Sequence, residues 1–210
     1  MRYRRLGTTD LMVSEVGVEV RALLEGGEEA AAAALRAAID GGVTVFAWDV
    51  SDSTEDVEPL LARAAGVDRG RLTLIAVLDV LPPAEQIGPQ VDAIAARLAE
   101  GGADGYLDIV AFPDLPDAAQ LAALQEVRAR GVAHHVGYAG EGDTLPADLP
   151  PGVDVLVLGG APSGERDGVG VIARAKLGEA SALLEGGVFA SVVTPALDAS
   201  EVSKLLVPSY

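Results

Sequence analysis

Short runs of β-branched and other apolar residues alternate with longer amphipathic runs along almost the whole chain. This alternation restricts the fold more than any single motif does. Strands are expected over residues 17–20, 43–48, 72–78, 107–112, 133–138, 153–158, 169–173 and 189–194. The third of these, Leu72-Thr73-Leu74-Ile75-Ala76-Val77-Leu78, is apolar at nearly every position, as a strand covered on both faces must be. Helices are expected over 28–40, 84–100, 117–130 and 199–207, with another after the capping residues Ser53 and Thr54. The 84–100 segment carries Ile87, Val91, Ile94 and Leu98 on one stripe, and Asp198 precedes the last helix with Glu201 three residues on, as in a capping box. Strand and helix repeated about eight times imply a parallel sheet under helices, and that number favours closure into a barrel. The fold class expected is therefore α/β, a compact (β/α)8 TIM barrel forming one domain over 1–210. Residues 140–151 and 161–168 are too rich in Gly, Pro and Asp, or too short, for full helices, so some outer helices are reduced to loops.

Composition narrows the function classes. Fifteen basic residues against 32 acidic ones leave a net charge of −17, which repels nucleic acid and anionic lipid. Either a high-salt interior or a GC-rich genome accounts for such a balance. There are no cysteines, which excludes disulfides, thiolate catalysis and Cys-ligated metals, and with two histidines no zinc site is expected. No apolar run approaches the roughly 20 residues that cross a bilayer, and the basic start lacks a signal peptide's apolar core. A cytoplasmic protein without nucleic-acid or membrane partners is expected.

Several stretches resemble the aldo/keto reductase superfamily, and they keep its order. Arg2-Tyr3-Arg4-Arg5-Leu6-Gly7 followed by Val13-Ser14-Glu15-Val16-Gly17 is similar to the opening of its bacterial members. Further similarities lie at 37–44, at Tyr106-Leu107-Asp108-Ile109-Val110, at 131–137 and at 168–173. The resemblance implies an N-terminal hairpin that plugs the barrel floor. It also implies NADPH-dependent carbonyl reduction by an Asp, Tyr, Lys and His at the strand ends, where the Tyr donates the proton and the Lys lowers its pKa.

This sequence departs from that pattern at the catalytic positions. Aligned without gaps, the aspartate falls on Ala47 and the tyrosine on Asp52, although a two-residue slip makes Asp49 the aspartate and still supplies no tyrosine. The lysine falls on Leu78 and the histidine on Pro113. On the cofactor side, the Ser-Asn pair that holds nicotinamide becomes Ala139-Gly140, the sixth-strand glutamine becomes Val157, and 194–198 contains no Arg or Lys for phosphate. No cofactor is expected, and the resemblance thus implies a barrel that has lost NADPH-dependent reduction and binds a small molecule or a protein. The alternatives are a lyase- or isomerase-type enzyme built on carboxylates, or a divergent NAD(P)H-dependent oxidoreductase.

Catalytic groups of such barrels sit at the C-terminal strand ends. There Asp49, Asp52 and Asp79 are candidates for acid–base work, while Trp48, Asp114, His135, Tyr138 and Arg174 are candidates for lining a ligand site, with Thr194 nearby. Helix capping by Asp52 and a solvated loop opened by Asp79 are the favoured readings of those two acids. A structural or surface role is the favoured reading of His135, and of the adjacent His134 and His135 at most one can face the barrel axis.

Overall fold

The computed structural model describes residues 1–50, 57–140, 142, 146, 148–160, 168–176, 179–185, 190–196 and 198–206. The chain opens with an antiparallel pair, β1 (Tyr3–Arg5) and β2 (Met12–Ser14), in the register Tyr3↔Ser14. Eight parallel strands then close into a barrel: β3 (Val16–Glu19), β4 (Val45–Val50), β5 (Thr73–Leu78), β6 (Leu107–Phe112), β7 (Ala133–Gly140), β8 (Val155–Leu158), β9 (Gly170–Arg174) and β10 (Ser191–Pro195), which pairs back with β3. The (β/α)8 expectation holds, as does the hairpin.

Helices cover the outside: α1 (Val20–Leu24), α2 (Glu28–Asp40), α3 (Val57–Ala65), α4 (Ala84–Glu100), α5 (Ala118–Ala129), α6 (Ala180–Glu185) and α7 (Ala199–Leu206). The start of α5 shows why it begins where it does. Asp117 accepts a hydrogen bond from the Gln120 amide while the Gln120 side chain accepts from the Asp117 amide, a reciprocal capping box. Asp198 caps α7 by accepting from the amides of Ser200 and Glu201. Among the described residues no helix joins β7 to β8 or β8 to β9, as the Gly- and Pro-rich composition predicts. The short helices α1 and α6 lie outside the expected set. None of the helices, among the described residues, is long and apolar enough to cross a membrane.

Strand alternation sorts the core into two layers. Val45, Ala47, Ile75, Val77, Ile109, Ala111, Val155, Val157, Ile172 and Val193 pack inside the barrel. Their neighbours Phe46, Trp48, Leu74, Ala76, Leu78, Val110 and Phe112 pack outward against the helices. Leu6 and Val13 from the hairpin join the inner layer, so the hairpin plugs the lumen. Its close fit depends on glycine. Gly7 has φ +57°, and a Cβ there would stand 2.3 Å from the Gly170 backbone nitrogen. In turn a Cβ on Gly170 would meet the Leu6 side chain at 2.6 Å.

Two ion pairs built on buried acids brace the outer layer. Arg69, in the 3-10 turn Gly66–Arg71, meets Asp108 of β6 at 3.0 Å. Glu58 of α3, fully buried, accepts from Trp48 Nε1 at 3.2 Å and from Arg97 of α4 at 3.1 Å.

Candidate functional site

The inner face of each strand ends at the mouth of the barrel, and three of those ends carry charge. On β3 the inward set is Gly17 then Glu19. Gly17 is small because Val45 and Val193 already fill that level of the lumen, where a Cβ would lie 2.9 Å from Val45. Two residues on, Glu19 faces the same way. On β4 the inward set is Val45, Ala47 and then Asp49; on β9 it is Ile172 and then Arg174.

These three side chains meet. Arg174 donates from Nη1 to Asp49 Oδ1 at 2.8 Å and from Nη2 to Asp49 Oδ2 at 2.7 Å, a two-pronged pair. The same Nη2 donates to Glu19 Oε2 at 2.9 Å. To make these bonds the guanidinium reaches across β10 and β3. Asp49 and Arg174 are about a third exposed, at 32% and 30%, whereas Glu19 lies beneath them at 13%. Glu19 Oε1 is buried and has no hydrogen-bond partner among the described residues.

Two carboxylates share one guanidinium, and the electrostatics follow from that count. Burial pushes the Glu19 carboxyl up to about 7; Arg174 opposes this rise and the charge on Asp49 adds to it. Arg174 is held above its ordinary value by its bonds to Asp49 and by the charges of both acids, against the effect of burial. Near neutrality Glu19 therefore exchanges a proton readily while Asp49 stays committed to Arg174. Such a triad can orient a polar ligand, and it can give or take one proton.

The structure separates the residues that the sequence grouped. Asp49 and Arg174 come together as described. Ala47 also faces the lumen, one layer below Asp49 and fully buried, so the residue at the mouth is the one reached by the two-residue slip. Leu78 packs on the helix side, and its inward neighbour Val77 is apolar too, so no lysine projects from the end of β5. Pro113 is half-buried after β6, and Asp79 and Asp114 are exposed on the loops that follow β5 and β6. Neither Asp79 nor Asp114 joins the triad.

Trp48 does not line the mouth. It is fully buried against the helices, because it neighbours Asp49 and adjacent strand residues face opposite sides. Tyr138 likewise packs outward, level with Phe112 and Leu156. His135 faces the lumen but at the floor, beside the hairpin, far from the mouth in strand level. Thr194 is fully buried next to the inward Val193 and so lies on the outer side. Asp52 lies outside the described residues. Glu19 escaped the sequence reading; the signal for it was an acid two residues after the lumen-facing Gly17.

Among the described residues, no three His, Asp or Glu side chains converge as metal ligands would. The described strand ends where the resemblance places the nicotinamide contacts are apolar. Ala139 and Gly140 end β7 without side-chain donors, and Val157 is a buried lumen residue. Arg174, the described arginine whose side chain enters the lumen at the mouth, is already bonded to two carboxylates.

No family model matches the sequence, and no curated protein matches it. The fold, however, recurs among solved structures. The holo form of aldo-keto reductase AKR11C1 from Bacillus halodurans superposes with a TM-score of 0.77 at 17% identity, covering 100% of this chain and 93% of that one. The fold is that of the aldo-keto reductases. A Pseudomonas aeruginosa protein described as an aldo-keto reductase gives 0.73 at 15% identity over 97% of this chain and 92% of its own. The glycerol dehydrogenase AKR11B4 from Gluconobacter oxydans gives 0.63 at 15% identity over 88% of this chain and 64% of its own. Within this aldo-keto reductase fold, the guanidinium that holds Asp49 comes from β9.

Proposed function

We propose that this barrel does not carry out NADPH-dependent carbonyl reduction and instead holds a small polar molecule over Glu19, Asp49 and Arg174 at its mouth. One observation carries the reading: Asp49 is bound in a two-pronged pair by Arg174, while the inner face of β5 ends in Val77. Carbonyl reduction in the family depends on a lysine beside the aspartate that makes a tyrosine acidic. An arginine stays protonated throughout the accessible pH range and has no comparable acid to tune here. Excess negative charge, −17 over the chain, also disfavours an anionic cofactor. A cysteine-free, acidic protein suits a reducing cytoplasm.

A second reading, carboxylate chemistry of the lyase or isomerase type, draws on Glu19. Its carboxyl, pushed to about 7, matches what a general acid–base group needs near neutral pH.

Titration with NADPH at up to millimolar concentration tests the first reading. The expected result is no quenching of the buried Trp48, no change in cofactor fluorescence and no thermal shift. Micromolar NADPH affinity, with carbonyl reduction that disappears in Asp49→Asn, would falsify it. A thermal-shift screen of small polar compounds identifies the ligand, and any turnover found should be lost in Glu19→Gln if the second reading is right.

A further inference from the structure

His135 sits on the inner side of β7 at the barrel floor, level with Ile109 on β6, and is 12% exposed. Its two ring nitrogens face two different carboxylates. Nε2 lies 3.0 Å from Oδ1 of Asp10, which belongs to the loop between β1 and β2. Nδ1 lies 3.4 Å from Oδ2 of Asp154, the residue just before β8, an ion-pair contact without hydrogen-bond geometry. A carboxylate only accepts, and a neutral imidazole carries a single N–H. Neutral His135 can therefore satisfy one acid while turning a lone pair toward the other. Only the imidazolium meets both.

The remaining charges around this group are few. Arg128 of α5 lies 3.2 Å from the same Asp154 oxygen. His134 is the adjacent strand residue and stacks on Tyr106, with ring centroids 4.8 Å apart. The hairpin residues packed into the lumen nearby, Leu6 and Leu11, are apolar.

We propose that Asp10, His135 and Asp154 form a proton-operated clamp, closed while His135 is an imidazolium, that fastens the loop of the hairpin plug to the barrel floor. The clamp joins three parts of the chain that no other titrating group of this range connects among the described residues. Among the described residues the hairpin is also fastened by the Tyr3 hydroxyl to the Gly42 carbonyl, Arg4 to Glu15, Ser14 to Thr44 and Thr8 to Gly168. None of these involves an imidazole. Deprotonation should thus loosen the 7–11 loop and leave the β1–β2 ladder in place.

The pH direction follows from the acids. Asp154 and Asp10 raise the His135 pKa above its ordinary 6.5, against the effect of burial; against burial, His135 together with Arg128 holds the Asp154 carboxyl below its usual range, and the bond to His135 lowers Asp10. A base whose folded pKa is raised contributes stability that is full below the unfolded value, and this is lost as pH climbs through the folded value. The clamp therefore opens on the alkaline side of 6.5.

The test is NMR on the intact protein. The His135 ring is titrated through its carbon shifts, and amide exchange of Thr8, Thr9 and Leu11 is followed with the intrinsic pH effect divided out. Expected are a His135 midpoint above 6.5 and loop exchange that rises about threefold or more across that midpoint. Amides of the β1–β2 ladder should not follow. Asp10→Asn cuts only the hairpin arm, on an exposed side chain that need not disturb folding. It should lower the His135 midpoint and make loop exchange insensitive to pH. A midpoint at or below 6.5, loop exchange that ignores the midpoint, or an unchanged midpoint in Asp10→Asn would each overturn the clamp.

Discussion

Replacing Arg69 by methionine is expected to cost about 3–5 kcal/mol of folding stability at neutral pH, the range found when a buried ion pair loses one partner. Arg69 and Asp108 are 3% and 7% exposed. The guanidinium donates to Asp108, to the Leu72 carbonyl at 3.2 Å and to the Tyr106 carbonyl at 2.7 Å, and it stacks 3.8 Å from the Tyr106 ring centroid. Asp108 in turn accepts from the Leu74 amide at 2.8 Å, which ties the start of β5 to the start of β6. Burial already pushes the Asp108 carboxyl upward and Arg69 is the main group that opposes it. Without Arg69 the acid must take up a proton or remain charged in a dry site. The loss should therefore shrink at pH 5, where protonation is easy, and be largest above pH 7. In urea unfolding, the double variant Arg69→Met with Asp108→Asn should recover a good part of the loss. No charge is stranded there, and an amide oxygen can still accept from Leu74. A single variant within about 1 kcal/mol of the wild type would show that this pair is not what braces the floor of the barrel.

The barrel was legible because its evidence is local and repeated. Residues 84–100 read as a helix from one apolar stripe, and α4 has those bounds. The segment 107–112 read as a strand, and β6 matches it. Reduced connections after β7 and β8 were also visible, since Gly, Pro and Asp cannot sustain a helix. The helices α1 and α6 were not, because five or six residues span too few turns to show a period.

The mouth was harder to read, for a different reason. Its three members lie at 19, 49 and 174, so the bonds that define it span 125 and 155 residues. Nothing local announces them. Yet part of the error was avoidable from alternation alone. Trp48 and Asp49 are neighbours on one strand and cannot both face the lumen. Once Ala47 and Asp49 were recognised as the inward pair, Trp48 belonged to the helix layer, and by the same rule Tyr138 lay opposite the inward Gly137 and Ala139. The position assigned to Leu78 failed the same test: a group meant to reach the lumen cannot come from the outward side of β5. Family order located the strand ends, and strand parity decided which residues at those ends can act.

Arg174→Met is expected to show a pH-dependent loss that separates the mouth from an ordinary surface ion pair. At pH 5 Glu19 carries its proton, so the substitution strands only Asp49, which is a third exposed and can be hydrated. The cost there should be about 1 kcal/mol. At pH 8 Glu19 ought to be ionised, but without Arg174 it faces Asp49 with no cation between them, and its carboxyl climbs above 7. The gap between variant and wild type should then widen to about 2–3 kcal/mol. The sign can be checked on the wild type itself. Glu19 titrates at about 7 in the fold against an ordinary 4.5, so the folded state holds the proton more tightly. Stability from this group is full below pH 4.5 and falls as pH rises to 7, by about 3 kcal/mol at most at about 1.36 kcal/mol per pKa unit. Glu19→Gln should flatten that decline, and Glu19→Gln with Arg174→Met should lose the widening at pH 8. Equal losses for Arg174→Met at pH 5 and pH 8, measured by denaturant unfolding, would mean that Glu19 is not coupled to the guanidinium. The mouth would then hold a simple Arg–Asp pair with no proton to exchange, and carboxylate chemistry at Glu19 would fall with it.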